Sequence, residues 1–152
     1  MANTQAMATS FKVELLNGIH AFGTTVTRGG TGADTFKAAL FLASATINAS
    51  TTTYSTTGEL AATGGYTAGG VTVTNGNAPA SSGTTAYWTP SAQFQWTSFT
   101  SSGSFDCVQI YNSTQSNKTV SVHTFSAQSI TAGTFNLTMP TNGAGTAILN
   151  IA

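Results

Sequence analysis

Charge is what this sequence has least of. Four cationic and four anionic residues are spread over 152 positions, for a formal net charge of zero. An ordinary soluble domain carries about a quarter of its residues charged. Mutual repulsion keeps dissolved proteins apart, and a net charge near zero favours association. The sequence therefore reads as one suited to packing against neighbours or against copies of itself. The cations Lys12, Arg28, Lys37 and Lys118 are scattered along the chain. A protein that grips duplex nucleic acid commonly makes about 6–10 phosphate contacts, so a nucleic-acid partner is not expected.

Other absences narrow the classes further. The lone Cys107 excludes an intrachain disulfide. A zinc site needs three or four ligands at characteristic spacing, and Cys107, His20 and His123 include no close pair, so no metal is expected. No apolar run approaches the roughly 18 residues of a membrane span, and no membrane partner is expected. Met1–Phe11 lacks the basic-then-apolar layout of a secretory signal, which points to synthesis in a cytoplasm. The carboxylates Glu14, Asp34, Glu59 and Asp106 suggest no acid–base pair, and there is no G-x-S-x-G elbow for a serine nucleophile. Arg28–Asp34 (RGGTGAD) lacks phosphate-loop spacing and a following helix, and reads as a flexible loop. No enzyme, catalytic residue or cofactor is expected.

What the chain does have is enough apolar material for a core: 40% hydrophobic residues, with nine Phe, four Tyr and two Trp. The length fits one domain. We read residues 1–10 as an N-terminal tail and residues 11–152 as a single β-sandwich domain, jelly-roll-like, with one short N-terminal helix. Phe11, Leu15, Leu16, Ile19 and Phe22 recur at helical spacing, with Thr9 or Ser10 as N-cap and Gly18 or Gly23 as the end. Beyond Thr24, β-branched and aromatic runs alternate with Gly, Asn, Ser and Pro clusters. Strands are expected near Phe36–Leu42, Gly70–Thr74, Ala86–Trp88, Gln93–Thr100, Phe105–Tyr111, Thr119–Phe125, Thr134–Met139 and Ala147–Ile151. Val120, Val122 and Thr124 alternate as one face, Asn112–Lys118 and Ile130–Gly133 read as hairpin loops, and Gly133 is placed for a positive φ. The stretches 45–58 and 75–85 read as flexible loops.

Exposed aromatic side chains on a β-domain can anchor an interface or stack on a sugar. Phe94 and Trp96 share one strand face, which is first a core pattern. The candidate interface set is Tyr87, Trp88 and Trp96, with Arg28 and His123. His123 is opposite in phase to Val122, which turns it toward solvent or a subunit interface.

The segments FKVELLNGIHAFG (Phe11–Gly23), DTFKAALF (Asp34–Phe41), GGYTAGGVTVT (Gly64–Thr74) and AYWTPSAQFQWTSFT (Ala86–Thr100) are followed by FDCVQIYN, NKTVSVHTF and ITAGTFNLTMP. In this order they resemble a widespread group of small structural proteins of tailed bacteriophages. The resemblance covers most of the chain from Phe11 and supplies no catalytic residues. It implies a virion structural protein made in a bacterial host cytoplasm. With the near-neutral composition, the first expectation is a capsid decoration, or cement, protein. Its partners would be the major capsid protein and copies of itself, as a homotrimer or dimer. The alternatives are a tail component (tube, fibre or adaptor subunit) and a glycan-binding receptor module.

Overall fold

A computed structural model describes residues 2–24 and 32–152. In chain order the elements are β1 (Ala6–Met7), α1 (Thr9–Leu16), β2 (Phe36–Leu42), β3 (Val71–Thr72), β4 (Ala80–Ser82) and β5 (Thr85–Trp88). They continue with β6 (Phe94–Phe99), β7 (Phe105–Asn112), β8 (Lys118–Gln128), β9 (Gly133–Leu137) and β10 (Leu149–Ile151). Among the described residues the fold is mainly β with one short helix, and the strands pair antiparallel in three sheets: β1-β8-β7-β2-β3, β10-β5-β4 and β6-β9.

The central strand β7 is buried along nearly its whole length, which explains its almost unbroken apolar run. Strand β2 beside it divides its side chains by parity. Phe36, Ala38 and Leu40 enter the larger core, while Ala39 and Phe41 enter a smaller cluster on the other face. The larger core also takes Trp88, Phe94, Trp96, Phe99, Phe135 and Leu149 from the two small sheets. The smaller cluster is covered by the segment 43–59, through Ala45, Ile47 and Tyr54.

Several expectations need correction. The expected tail over residues 1–10 is not one across its described residues 2–10, since Ala6 and Met7 pair with Val122 and Ser121 as an edge of the large sheet. Asn3 is tied in as well, donating to the Leu42 carbonyl and to Asp106 Oδ1 and accepting from the Ile47 N–H. Helix α1 starts after Ala8 without a side-chain cap from Thr9 or Ser10. It stops at Leu16, where Gly18 (φ +64°) takes the left-handed conformation. The Gly18 N–H bonds the Leu15 carbonyl and the Ile19 N–H bonds the Glu14 carbonyl, a Schellman ending that satisfies two orphan acceptors. The helix buries Phe11 and Glu14, not Leu16, which is 90% exposed.

Strand β8 also departs from simple alternation. A register shift opposite Ile110 and Tyr111 separates Val120, in the larger core, from Val122, in the smaller cluster. Asn112–Lys118 closes the β7–β8 hairpin, whereas 130–133 joins strands of different sheets. There the positive φ belongs to Ala132 (+49°), not to Gly133. Ala80–Ser82, inside the expected loop 75–85, pairs with β5. Its Ala and Ser residues carry no strand pattern, so the pairing comes from the neighbouring strand.

Candidate functional site

The aromatic interface set does not assemble on the surface. Trp88 and Trp96 are each 2% exposed and belong to the core of this chain. The Trp88 indole lies against Phe22, with ring centroids 4.7 Å apart, and donates its N–H to the Asn77 carbonyl at 3.0 Å. Trp96 packs on Phe135 with centroids 5.8 Å apart. These rings are unavailable to a glycan or a partner because burying them stabilises the chain's own fold. The core reading of Phe94 and Trp96 holds. Tyr87 is half-buried on β5 and lines a shallow apolar depression with Pro79, Leu15 and Ile151. Arg28 lies outside the described residues.

His123 does lie opposite in phase to Val122 and is half-buried, on the wall of a pocket that exposed residues such as Gln5, Thr138 and Thr146 rim. It pairs with Val108 of β7 and lines a cavity of about 270 Å³. Its Nε2 is 2.9 Å from Ser121 Oγ. Burial pushes its pKa down to about 4, so the ring is neutral at physiological pH.

Several of the few ionisable groups are drawn inward. Glu14 on α1 accepts from Lys118 Nζ at 2.8 Å through Oε1 and meets His20 Nε2 at 2.8 Å through Oε2. Asn112 Nδ2 donates to His20 Nδ1 at 3.0 Å and to Asp34 Oδ2 at 2.8 Å. With Nδ1 accepting, the ring proton sits on Nε2 and is donated to Glu14. Asp34 also accepts from the Ala21 N–H and from Gln115 Nε2. Burial pushes the Glu14 pKa up, but its bonds to Lys118 and His20 outweigh that and leave it lowered. Burial lowers the pKa of His20 against the opposing pull of Glu14. The His20 side chain is fully enclosed, so no substrate reaches it. The network fastens α1, the residues around Asp34 and the β7–β8 turn together.

Glu59 forms a second internal anchor. It accepts from the Tyr54 hydroxyl at 2.6 Å, the Tyr66 hydroxyl at 2.7 Å and the Gly69 N–H at 2.7 Å. Tyr111 closes the set by donating to the Gly69 carbonyl at 2.8 Å. Asp106, the remaining carboxylate, is half-buried and bonded to Asn3. Among the described residues, Lys12 is the one charged side chain that is well exposed. None of these residues gathers with others into a group of three or more His, Cys, Asp or Glu able to hold a metal ion. Among the described residues no helix is long and apolar enough to cross a membrane.

The surface instead exposes aliphatic side chains beside the C-terminal strand. Val13 is 58% exposed, Leu16 90% and Ile151 43%. Leu16 and Ile151 share a depression with Met7 and Leu15. The helical spacing places Leu16 on the buried face with Phe11 and Leu15, which hides this patch; the helix ends at Leu16, at the Gly18 end of the two expected, and leaves that side chain outside. The sequence did contain one signal for the internal networks. In a chain so poor in charge, each carboxylate retained has a specific partner.

Comparison with known proteins finds no matching family, no matching curated protein and no matching solved structure.

Proposed function

We propose that this chain is a structural subunit of a tailed-phage virion, a decoration protein that binds the assembled major-capsid shell. The observation that carries the reading is the placement of charge. Carboxylates are turned inward and bonded, Lys12 is the well-exposed charge among the described residues, and Leu16, Val13 and Ile151 are left facing outward. Such a surface binds through apolar contact and neutral hydrogen bonds, which depend little on salt. Binding only the assembled shell would stabilise it by mass action, without chemistry. The edges of β4 and β10 carry no Lys or Glu to discourage pairing, which suits a homotrimer or dimer in which copies cover each other's edges. The apolar cluster shared by the large sheet and the two small ones supports the finer reading of a β-sandwich, jelly-roll-like in its connections. The order of the phage-like segments supports the virion setting.

The test is made on purified particles of the virus that encodes the chain. Quantitative gel staining should give hundreds of copies per particle. Gentle stripping should leave intact heads that burst more readily and regain strength when the protein is added back, at low and high salt alike. A few to tens of copies, or loss of the tail on stripping, would overturn decoration in favour of a tail role. Absence from the particle would overturn the virion reading altogether.

A further inference from the structure

The cavity beside His123 was not assigned by the sequence and plays no part in the proposed shell contact. It has a volume of about 270 Å³, and its walls come from separate sheets. Phe94 stands on β6, Val108 on β7, Phe125 on β8 and Leu137 on β9, with Met139 just beyond. These side chains form the apolar part of the lining, and Gln5, Thr124, Thr138 and Thr146 add neutral polar groups. An apolar cavity of about 150 Å³ accommodates benzene, so this one has room for a single ring with a small substituent.

The lining contains no Asp, Glu, Lys or Arg. A charged ligand entering it would lose water without gaining a counter-charge, which is strongly unfavourable. The ligand must therefore be neutral. His123 supplies the one ring-nitrogen contact on the wall. Its Nε2 is engaged with Ser121 Oγ at 2.9 Å, and its Nδ1 makes no hydrogen bond among the described residues. If the Ser121 hydroxyl donates to Nε2, Nδ1 carries the proton and donates. If Nε2–H donates to Ser121, Nδ1 accepts. A hydroxyl group answers either arrangement, because it both donates and accepts.

We propose that the His123 cavity is a binding site for a small neutral single-ring molecule bearing one hydroxyl, the ring lying among Phe94, Phe125, Leu137 and Met139 and the hydroxyl bonding His123 Nδ1. Occupation would fill the space between the sheets and hydrogen-bond the imidazole. It requires no chemistry and no charged partner.

Phenol is the direct probe, with benzene and benzoate as controls, titrated into the whole chain at pH 7 and followed by NMR of the Met139 methyl and His123 ring signals. Phenol should give saturable shifts of both. Benzene should bind about tenfold more weakly, the loss of one buried hydrogen bond, and benzoate should leave both signals unmoved. His123→Leu should bring phenol down to the level of benzene. Met139→Trp, which leaves His123 in place and fills the cavity, should abolish binding and keeps the test open if His123→Leu does not fold. Absence of saturation by phenol would overturn the site. Equal binding of phenol and benzene to the unaltered chain, or phenol binding that survives Met139→Trp, would overturn it as well.

Discussion

The Tyr66 hydroxyl donates to Glu59 Oε1 at 2.7 Å while accepting from the Leu40 N–H at 3.0 Å, so one oxygen links a buried carboxylate to the backbone of the large sheet. Removing it leaves a β2 donor without that acceptor and takes one donor from the carboxylate. Tyr66→Phe should therefore cost about 2–4 kcal/mol, a hydrogen bond to a charged group plus a buried donor left unpaired. Tyr54→Phe removes a more exposed bond to the same carboxylate and should cost about 1–2 kcal/mol. Urea unfolding of the two variants measures the difference, and equal costs would refute the dual role of the Tyr66 oxygen.

Acid should weaken the fold before its carboxylates titrate. Burial lowers the pKa of His123 from 6.5 to about 4. The unfolded chain therefore binds the proton more readily, and this contribution to stability is complete above about pH 6.5 and lost as the pH falls toward 4. Its full size is about 3 kcal/mol. His20 is shifted in the same direction, by burial. Glu14 adds a further loss at lower pH, below its ordinary 4.5, because its folded pKa is lowered. Denaturation midpoints should stay level from pH 7.5 to about 6.5 and fall from there to pH 4, and His123→Gln should flatten part of that fall. An unchanged slope would show that His123 is already wet.

Glycine substitutions should separate the crowded turns from the open ones. Gly70 has φ +71°, and a Cβ there would overlap the Ala38 carbonyl oxygen of β2. Gly70→Ala should fail to fold or lose more than about 3 kcal/mol, combining backbone strain with a steric clash. Gly18 has φ +64° with open space around it, so Gly18→Ala should cost only the conformational strain, about 1–2 kcal/mol. Thermal melts of both variants report the contrast.

Two apolar residues of one helix should behave oppositely. Phe11 is buried against His20, with ring centroids 4.8 Å apart, and Phe11→Ala should cost about 3–5 kcal/mol. Leu16 is 90% exposed, and Leu16→Ser should change stability by less than about 0.5 kcal/mol. If the aliphatic patch is a contact surface, Leu16→Ser weakens association in sedimentation while leaving the melt unchanged.

The β-rich class was legible because strands such as Phe36–Leu42 and Phe105–Asn112 concentrate apolar and aromatic residues between glycine- and serine-rich turns. What the sequence concealed depends on pairing. Ala6–Met7 and Ala80–Ser82 carry no strand signal of their own and are strands because β8 and β5 offer them hydrogen bonds. The Val120–Val122 alternation misleads because a register shift between them reverses the faces. The site was less legible than the fold. Tryptophan at positions 88 and 96 is read equally well as anchor or as core, and the cavity beside His123 is a property of several separate strands that no local pattern announces.

The register Ala6↔Val122 also sets an order of events during synthesis. β1 cannot complete its place in the sheet until β8 has been made, and at about 5–20 residues per second that wait is on the order of ten seconds. Long-range pairing of this kind slows folding. The residues translated early therefore have to stay uncommitted while the hairpin of β7 and β8 forms, and the edge strand at the beginning of the chain is among the last pieces to be fitted.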